Sequence, residues 1–332
     1  MMGTTLKKKI VLMGLSLILG LFFTVGFGGA TAVAADKKVS LATGGTGGTW
    51  YPTGGMIADV CNKNISGMDI TAEVTSGSAE NLKLVDAKKV ELLFVNGLAA
   101  YRALNGEKPY FQKKITNFRT MFYVHPGTGH LVVLKKSGIK DRMDLKGKRI
   151  ATGSPTSNLR MYAKAIFKAY GSTDKEIEKM ERKWVYQSYS EAVKALKDGR
   201  IDAAMIYAGM PTSSVMDIST THDVDLIGLS TEVQDALVKA HPFFIQETIP
   251  GGTYKGVDKD VQVVSVASVV CAEKDFSPDL VYQIVKTVHE NQEKLGQGHK
   301  AFKRWKFIPQ VGNLNDLHDG AKRYYKEIGL LK

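Results

Sequence analysis

The run Leu41-Ala42-Thr43-Gly44-Gly45-Thr46-Gly47-Gly48-Thr49-Trp50-Tyr51-Pro52 reads as a strand that breaks into a glycine-rich turn and then opens a helix. Val39 and Leu41 give the apolar pattern of the strand, and Pro52 suits the first turn of a helix whose free N–H groups point back at the turn. Glycine allows close backbone approach, so the segment is a place to hold an anion, with Thr46, Gly48 and Thr49 at the turn. Much later, Arg149-Ile150-Ala151-Thr152-Gly153-Ser154-Pro155-Thr156-Ser157-Asn158 repeats the scheme of strand, hydroxyl-rich turn and helix. Two such turns predict two lobes facing one shared ligand.

The first 35 residues are a separate segment. Lys7-Lys8-Lys9 precedes an uncharged apolar run from Ile10 to Phe27, which ends in Ala30-Thr31-Ala32-Val33-Ala34-Ala35. This is the pattern of a secretory signal cleaved after Ala34 or Ala35, and it predicts a periplasmic protein; an uncleaved anchor is the alternative, since the run is long for a signal core. The remainder, about 300 residues, is too long for one small core and fits two lobes.

The formal net charge of +12 is spread along the chain in pairs such as Lys88-Lys89 and Lys135-Lys136, without a nucleic-acid motif. It reads as a soluble basic surface that can guide an acidic ligand, not as a nucleic-acid site. The two cysteines, Cys61 on a predicted helix and Cys271 in a strand-like run, read as separately buried thiols, with one disulfide as the alternative. The seven histidines have no ligand spacing on a helix, so neither a metal nor a cofactor is expected.

From Val39 onward strand-like and helix-like segments alternate, which predicts an α/β fold with helices on the faces of parallel or mixed sheets. Arg119 to Val124 is a strand that runs into His125-Pro126-Gly127-Thr128-Gly129, a turn and hinge candidate. The expected organisation is a signal peptide over 1–35, a first lobe from 36–126 plus 266–332, and a second lobe over 127–265. The apolar run Val261 to Cys271 is expected to be one long strand returning to the first lobe.

Thr46, Thr49, Ser76, Ser78, Thr156 and Ser157 put hydroxyls at or beside predicted helix starts, where backbone donors converge; Gly77 lies between two of them, and Asn81 falls three residues into the helix begun at Ser78. Tyr207 and Gly209 close the strand Ile201 to Tyr207 at its carboxyl end, where open α/β sheets bind ligands. Trp50, Tyr51 and Tyr207 are candidates to cover the apolar body of a ligand. The segments 40–52, 75–81 and 153–158 hold no histidine, cysteine or lysine, and Glu80 is their only carboxylate, so no catalytic residue is assigned. An exported enzyme acting on a carboxylated or phosphorylated metabolite, and a sensor or adhesin, are the competing readings.

At these residues the chain resembles the TAXI family of solute-binding proteins, the extracytoplasmic receptors of one branch of tripartite ATP-independent periplasmic (TRAP) transporters. The resemblance rests on Thr43 to Gly55, Thr75-Ser76-Gly77-Ser78-Ala79-Glu80-Asn81, Asp144 to Arg149, Ile201-Asp202-Ala203-Ala204 with Ala208 to Thr212, and Ile249 to Tyr254. It implies a two-lobed periplasmic-binding-protein fold, type II-like, with a ligand cleft between the lobes. It also implies a monomeric receptor that closes on a small organic anion, such as glutamate or 2-oxoglutarate, and hands it to TRAP membrane permease subunits. The turn Gly153 to Asn158 departs from the more usual Gly-Ala-Pro-Gly-Ser-Gly type, so Thr156 and Asn158 re-aim that half of the pocket. Asn96 stands where relatives often carry a glutamine at the cleft edge.

Overall fold

The computed structural model describes residues 37–153, 157–241, 243–305 and 316–332; residues 1–35, where a signal peptide is expected, and Thr156 lie outside the described residues. Two mixed sheets organise them. The strands are β1 (Lys37–Ala42), β2 (Met68–Glu73), β3 (Leu92–Asn96), β4 (Phe118–Tyr123), β5 (Gly127–Leu134), β6 (Ile150–Ala151), β7 (Trp184–Val185), β8 (Ala203–Ala208), β9 (Val224–Leu226), β10 (Phe244–Ile249), β11 (Val261–Val266) and β12 (Ser268–Glu273). The first sheet has the order β2-β1-β3-β12-β4, and the second the order β10-β11-β5-β8-β6-β7, with β9 also paired to β5.

Parallel pairing joins β1 to β2 and β3, and β6 to β7 and β8, wherever a helix carries the chain back between strands. β12 runs antiparallel to both its neighbours, β3 and β4. Each central strand is apolar on both faces because helices cover both. Leu92 and Phe94 point into a core shared with Ile57, Val60 and Val285, while Leu93 and Val95 point into one shared with Leu82, Ala99 and Phe118. In the second sheet Leu131 and Val133 face Ile166 and Phe167, and Val132 and Leu134 face Val193 and Ile218.

The chain passes between the sheets twice, at adjacent places. β4 ends at Tyr123 and β5 begins at Gly127; β11 ends at Val266 and β12 begins at Ser268. Gly127 pairs with Val266 in the second sheet, whereas Ser268 pairs with Asn96 in the first. The single strand expected over Val261 to Cys271 is therefore two, divided at Ala267. An unbroken apolar run records burial on both faces but not which sheet receives it. Likewise Gly127 to Gly129, expected in a turn, belong to β5, and Val266, expected in the first lobe, closes a strand of the second sheet.

Cys61 and Cys271 are both free and fully buried, in cores on opposite faces of the first sheet. Burial pushes each thiol up to about 12.

Candidate functional site

Five helices begin around one space between the two sheets. The helices Trp50–Asn64, Ser78–Asp86 and Gly97–Asn105 follow β1, β2 and β3 of the first sheet, and Asn158–Ala169 and Tyr189–Lys197 follow β6 and β7 of the second. Each leaves its first-turn N–H groups without an intrahelical acceptor, which gives the space a positive potential without a fixed cation. The resulting cavity is about 480 Å³, and its wall includes Gly48, Thr49, Trp50, Ser76, Gly77, Ser78, Asn96, Ser157, Asn158 and Tyr207 from the sequence reading. Among its lining residues Glu80 and Lys83 alone carry charged side chains.

Most of the hydroxyls singled out in the sequence are already engaged. Ser157 Oγ accepts from Arg160 N at 3.1 Å as the N-cap of its helix, and Ser78 Oγ accepts from Asn96 N at 3.1 Å. Ser76 donates through both its N–H and its hydroxyl to Glu80 Oε2, at 2.7 and 2.6 Å. Thr49 makes no cap; its buried hydroxyl reaches the other lobe and donates to the Gly209 carbonyl at 2.8 Å.

That bond is part of a clasp. Gly47 O accepts from Thr212 Oγ1 and from Ser214 N, each at 3.1 Å. Gly47 must lack a side chain here, because a Cβ would stand 2.6 Å from Ser190 Oγ and 2.9 Å from Ser190 N. Behind the clasp, Thr212 N donates to Tyr254 Oη at 3.1 Å, and Tyr254 Oη lies 2.8 Å from His130 Nε2. His130 Nδ1 lies 2.8 Å from the Thr128 carbonyl, which requires the proton on Nδ1 and makes Nε2 the acceptor of the Tyr254 hydroxyl. Burial pulls His130 down to about 4, so the ring is neutral and its tautomer fixed. A second bridge spans the cleft where Asn158 Nδ2 donates to Asn96 Oδ1 at 3.3 Å and Asn158 Oδ1 accepts from Arg102 Nη1 at 2.9 Å.

Four residues of the sequence reading take other positions. Asn81 is fully buried behind the wall, where Nδ2 donates to Thr43 O and Phe94 O, both at 2.8 Å, and Oδ1 accepts from the Thr75 hydroxyl at 2.7 Å. It ties the carboxyl ends of β1 and β3 to the turn, with both amide donors used and the side chain closed off from the cavity. Gly209 contributes its carbonyl to the clasp, and a Cβ on it would meet the His125 ring at 2.4 Å. Thr46 is exposed and Tyr51 half-buried, and neither lines the cavity.

Residues 41–329 match the NMT1-like family. The chain belongs to that family. Its fold is that of the two-lobed periplasmic binding proteins. MatC from Rhodopseudomonas palustris, solved with bound malate, is 14% identical, with 80% of this chain and 88% of that one covered at a TM-score of 0.55. PhnD1 from Prochlorococcus marinus, in complex with methylphosphonate, is 12% identical, with 89% and 100% covered at 0.54. At these identities the likeness is one of fold.

In this NMT1-like chain the sequence reading missed several wall residues: Tyr162, the segment Tyr186-Gln187-Ser188-Tyr189, Gly127, Val266 and Ser268. Two had a legible signal. Ser188-x-x-Glu191 is a capping box, with Ser188 Oγ accepting from Glu191 N and the Glu191 carboxylate accepting from Ser188 N, and it starts the helix at Tyr189. Tyr162 stands four residues after Asn158, hence on the same helix face one turn along. Ser268 had no signal, because its place depends on where the apolar run divides. The hydroxyls of Tyr162 and Ser268 and the amide oxygen of Gln187 are buried at the cavity and have no partner among the described residues.

Proposed function

We propose that the chain is an extracytoplasmic solute-binding receptor of a TRAP transporter, of the TAXI branch, which captures a small organic anion and delivers it to membrane permease subunits. Glutamate, 2-oxoglutarate and related carboxylates are its ligands. It is exported, cleaved near Ala34 or Ala35, and works in the periplasm as a monomer without turning its ligand over. Its lobes are 36–126 with 267–332, and 127–266, and the ligand lies among the cavity residues from Gly48 to Trp50, Ser76 to Ser78, Asn96, Ser157, Asn158 and Tyr207.

The observation that carries this reading is the convergence of five helix starts, from both lobes, on a cavity of about 480 Å³. Such a wall stabilises a carboxylate through oriented N–H groups. It is also poor in acid–base chemistry, since no histidine or cysteine lines it among the described residues. Malate and methylphosphonate, bound by two proteins of similar fold, are both small anions, which supports the same class of ligand here.

Thermal melting of the mature protein with glutamate, 2-oxoglutarate, glutarate, malate and methylphosphonate tests the reading. A ligand at a hundredfold excess over its Kd adds about 2.7 kcal/mol of stability, a clear rise in Tm. No rise with any of them, together with consumption of a phosphorylated compound, would make the chain an exported enzyme instead.

A further inference from the structure

Tyr162 and Ser268 come from different lobes, Tyr162 from the helix Asn158–Ala169 and Ser268 from the first residue of β12. Tyr162 is 2% exposed and Ser268 fully buried, yet both line the cavity and neither hydroxyl has a partner among the described residues. Buried hydroxyls left unpaired are costly, and two that open on one cavity call for an occupant such as water or a ligand. Their surroundings are fixed. The Tyr162 ring packs on Tyr207 with centroids 4.5 Å apart and on Phe244 at 5.3 Å, so its hydroxyl cannot swing to another acceptor. Ser268 lies where the chain re-enters the first sheet, beside Gly127, on which a Cβ would come within 3.9 Å of Ser268 Oγ. Both line the same cavity wall, Ser268 at the crossing between the sheets and Tyr162 against Tyr207 of β8.

We infer that the Tyr162 and Ser268 hydroxyls together hold a second acceptor group of the ligand in this cavity, while the helix starts hold its first anionic group. This rests on the receptor reading above and deepens it. One lobe supplies each hydroxyl, so the second group is gripped fully only when the lobes are together. Both donors are neutral, and burial holds the Tyr162 phenol well above its ordinary pKa, so it keeps its proton throughout the physiological range. A ligand that ends in a methyl group would leave both hydroxyls unpaired and gain nothing from them.

Glutarate and pentanoate separate the two ends, because they have the same chain length and differ only in the second carboxylate. Calorimetric titration of the mature protein is expected to give at least tenfold tighter binding of glutarate. Tyr162→Phe and Ser268→Ala each weaken glutarate about tenfold or more and leave pentanoate within twofold. Without ligand, both variants melt at or above the unsubstituted protein, because each removes an unpaired buried hydroxyl and little packing. Equal binding of glutarate and pentanoate, or unchanged glutarate affinity in both variants, overturns the inference while leaving an anion receptor intact. A lowered Tm in both ligand-free variants overturns it as well, since the hydroxyls would then have partners in the empty protein. Failure of either acid to bind, with no response to the wider anion panel, overturns the receptor reading and this inference with it.

Discussion

Thr49 Oγ1 donates to the carbonyl oxygen of Gly209 at 2.8 Å, joining two residues 160 positions apart across the cleft. The glycine-rich turn thus serves lobe contact as much as ligand contact, and Thr49 holds the first lobe against the second from within the cavity wall. Thr49→Val leaves the Gly209 carbonyl buried and unpaired, a cost of about 1–3 kcal/mol to the closed arrangement. Glutarate affinity is expected to fall roughly tenfold with its preference over pentanoate unchanged, as read by calorimetric titration. A change in that preference would instead place the hydroxyl on the ligand.

Glu80 occupies donors that an anion would use. Its Oε2 accepts from both the N–H and the hydroxyl of Ser76, at the wall of the cavity. Glu80→Gln removes the negative charge and weakens the hold on Ser76, so anion affinity is expected to rise roughly threefold or more at low ionic strength, with a smaller gain at high salt. Titrations at two salt concentrations check it; a loss of affinity would mean that Glu80 orders the turn more than it repels the ligand.

Stability should fall on mild acidification through His125 and His130. Burial pulls His125 down to about 3 and His130 down to about 4, against 6.5 for an unhindered imidazole. Between about pH 6.5 and 4 the unfolded chain binds protons that the folded one refuses, so the stabilisation is complete above pH 6.5 and is lost as the pH falls towards the folded values. Each ring accounts for roughly 2–3 kcal/mol over that window. Urea unfolding at pH 7 and pH 4.5 measures the drop, and His130→Gln should make it shallower. An equal drop in the variant would remove His130 from the account.

The cysteines should be silent in the native state. Cys61 and Cys271 are fully buried, and their thiols are pushed up to about 12, so thiolate is scarce at neutral pH. A thiol reagent at pH 8 is expected to modify neither in the folded protein and both after denaturation. A mass two hydrogens lighter, with no thiol released on unfolding, would contradict this.

Much of this architecture was legible in the residues. The strand-turn-helix pattern located β1 with the helix after it and the helix begun at Ser157, because cap chemistry and periodicity are local. The glycine-rich turn and Ser76 to Ser78 were found at the cavity for the same reason. What sequence could not supply was partnership. Asn81 has the composition of a ligand-binding residue, but its amide is consumed by the carbonyls of Thr43 and Phe94, and only the packing of β1 beside β3 brings those together. Thr49 was read as a ligand donor because nothing local announces Gly209. Ser268 was invisible because an apolar run carries no mark of the sheet each half will join.

The position of β12 has a consequence for the order of assembly. The strands of the second sheet come from one continuous stretch, 127–266, but the first sheet sets β12 between β3 and β4, and the helices Pro278–Glu290 and Asp319–Glu327 close its core. A chain delivered amino end first can finish the second sheet while β4 still lacks its neighbour. The first sheet has to stay open, with the edges of β3 and β4 unpaired, until the last quarter of the chain arrives to fill the slot. The amino-terminal half is therefore the part most exposed to wrong strand pairing during biogenesis, and a chain truncated before Ser268 should aggregate through it.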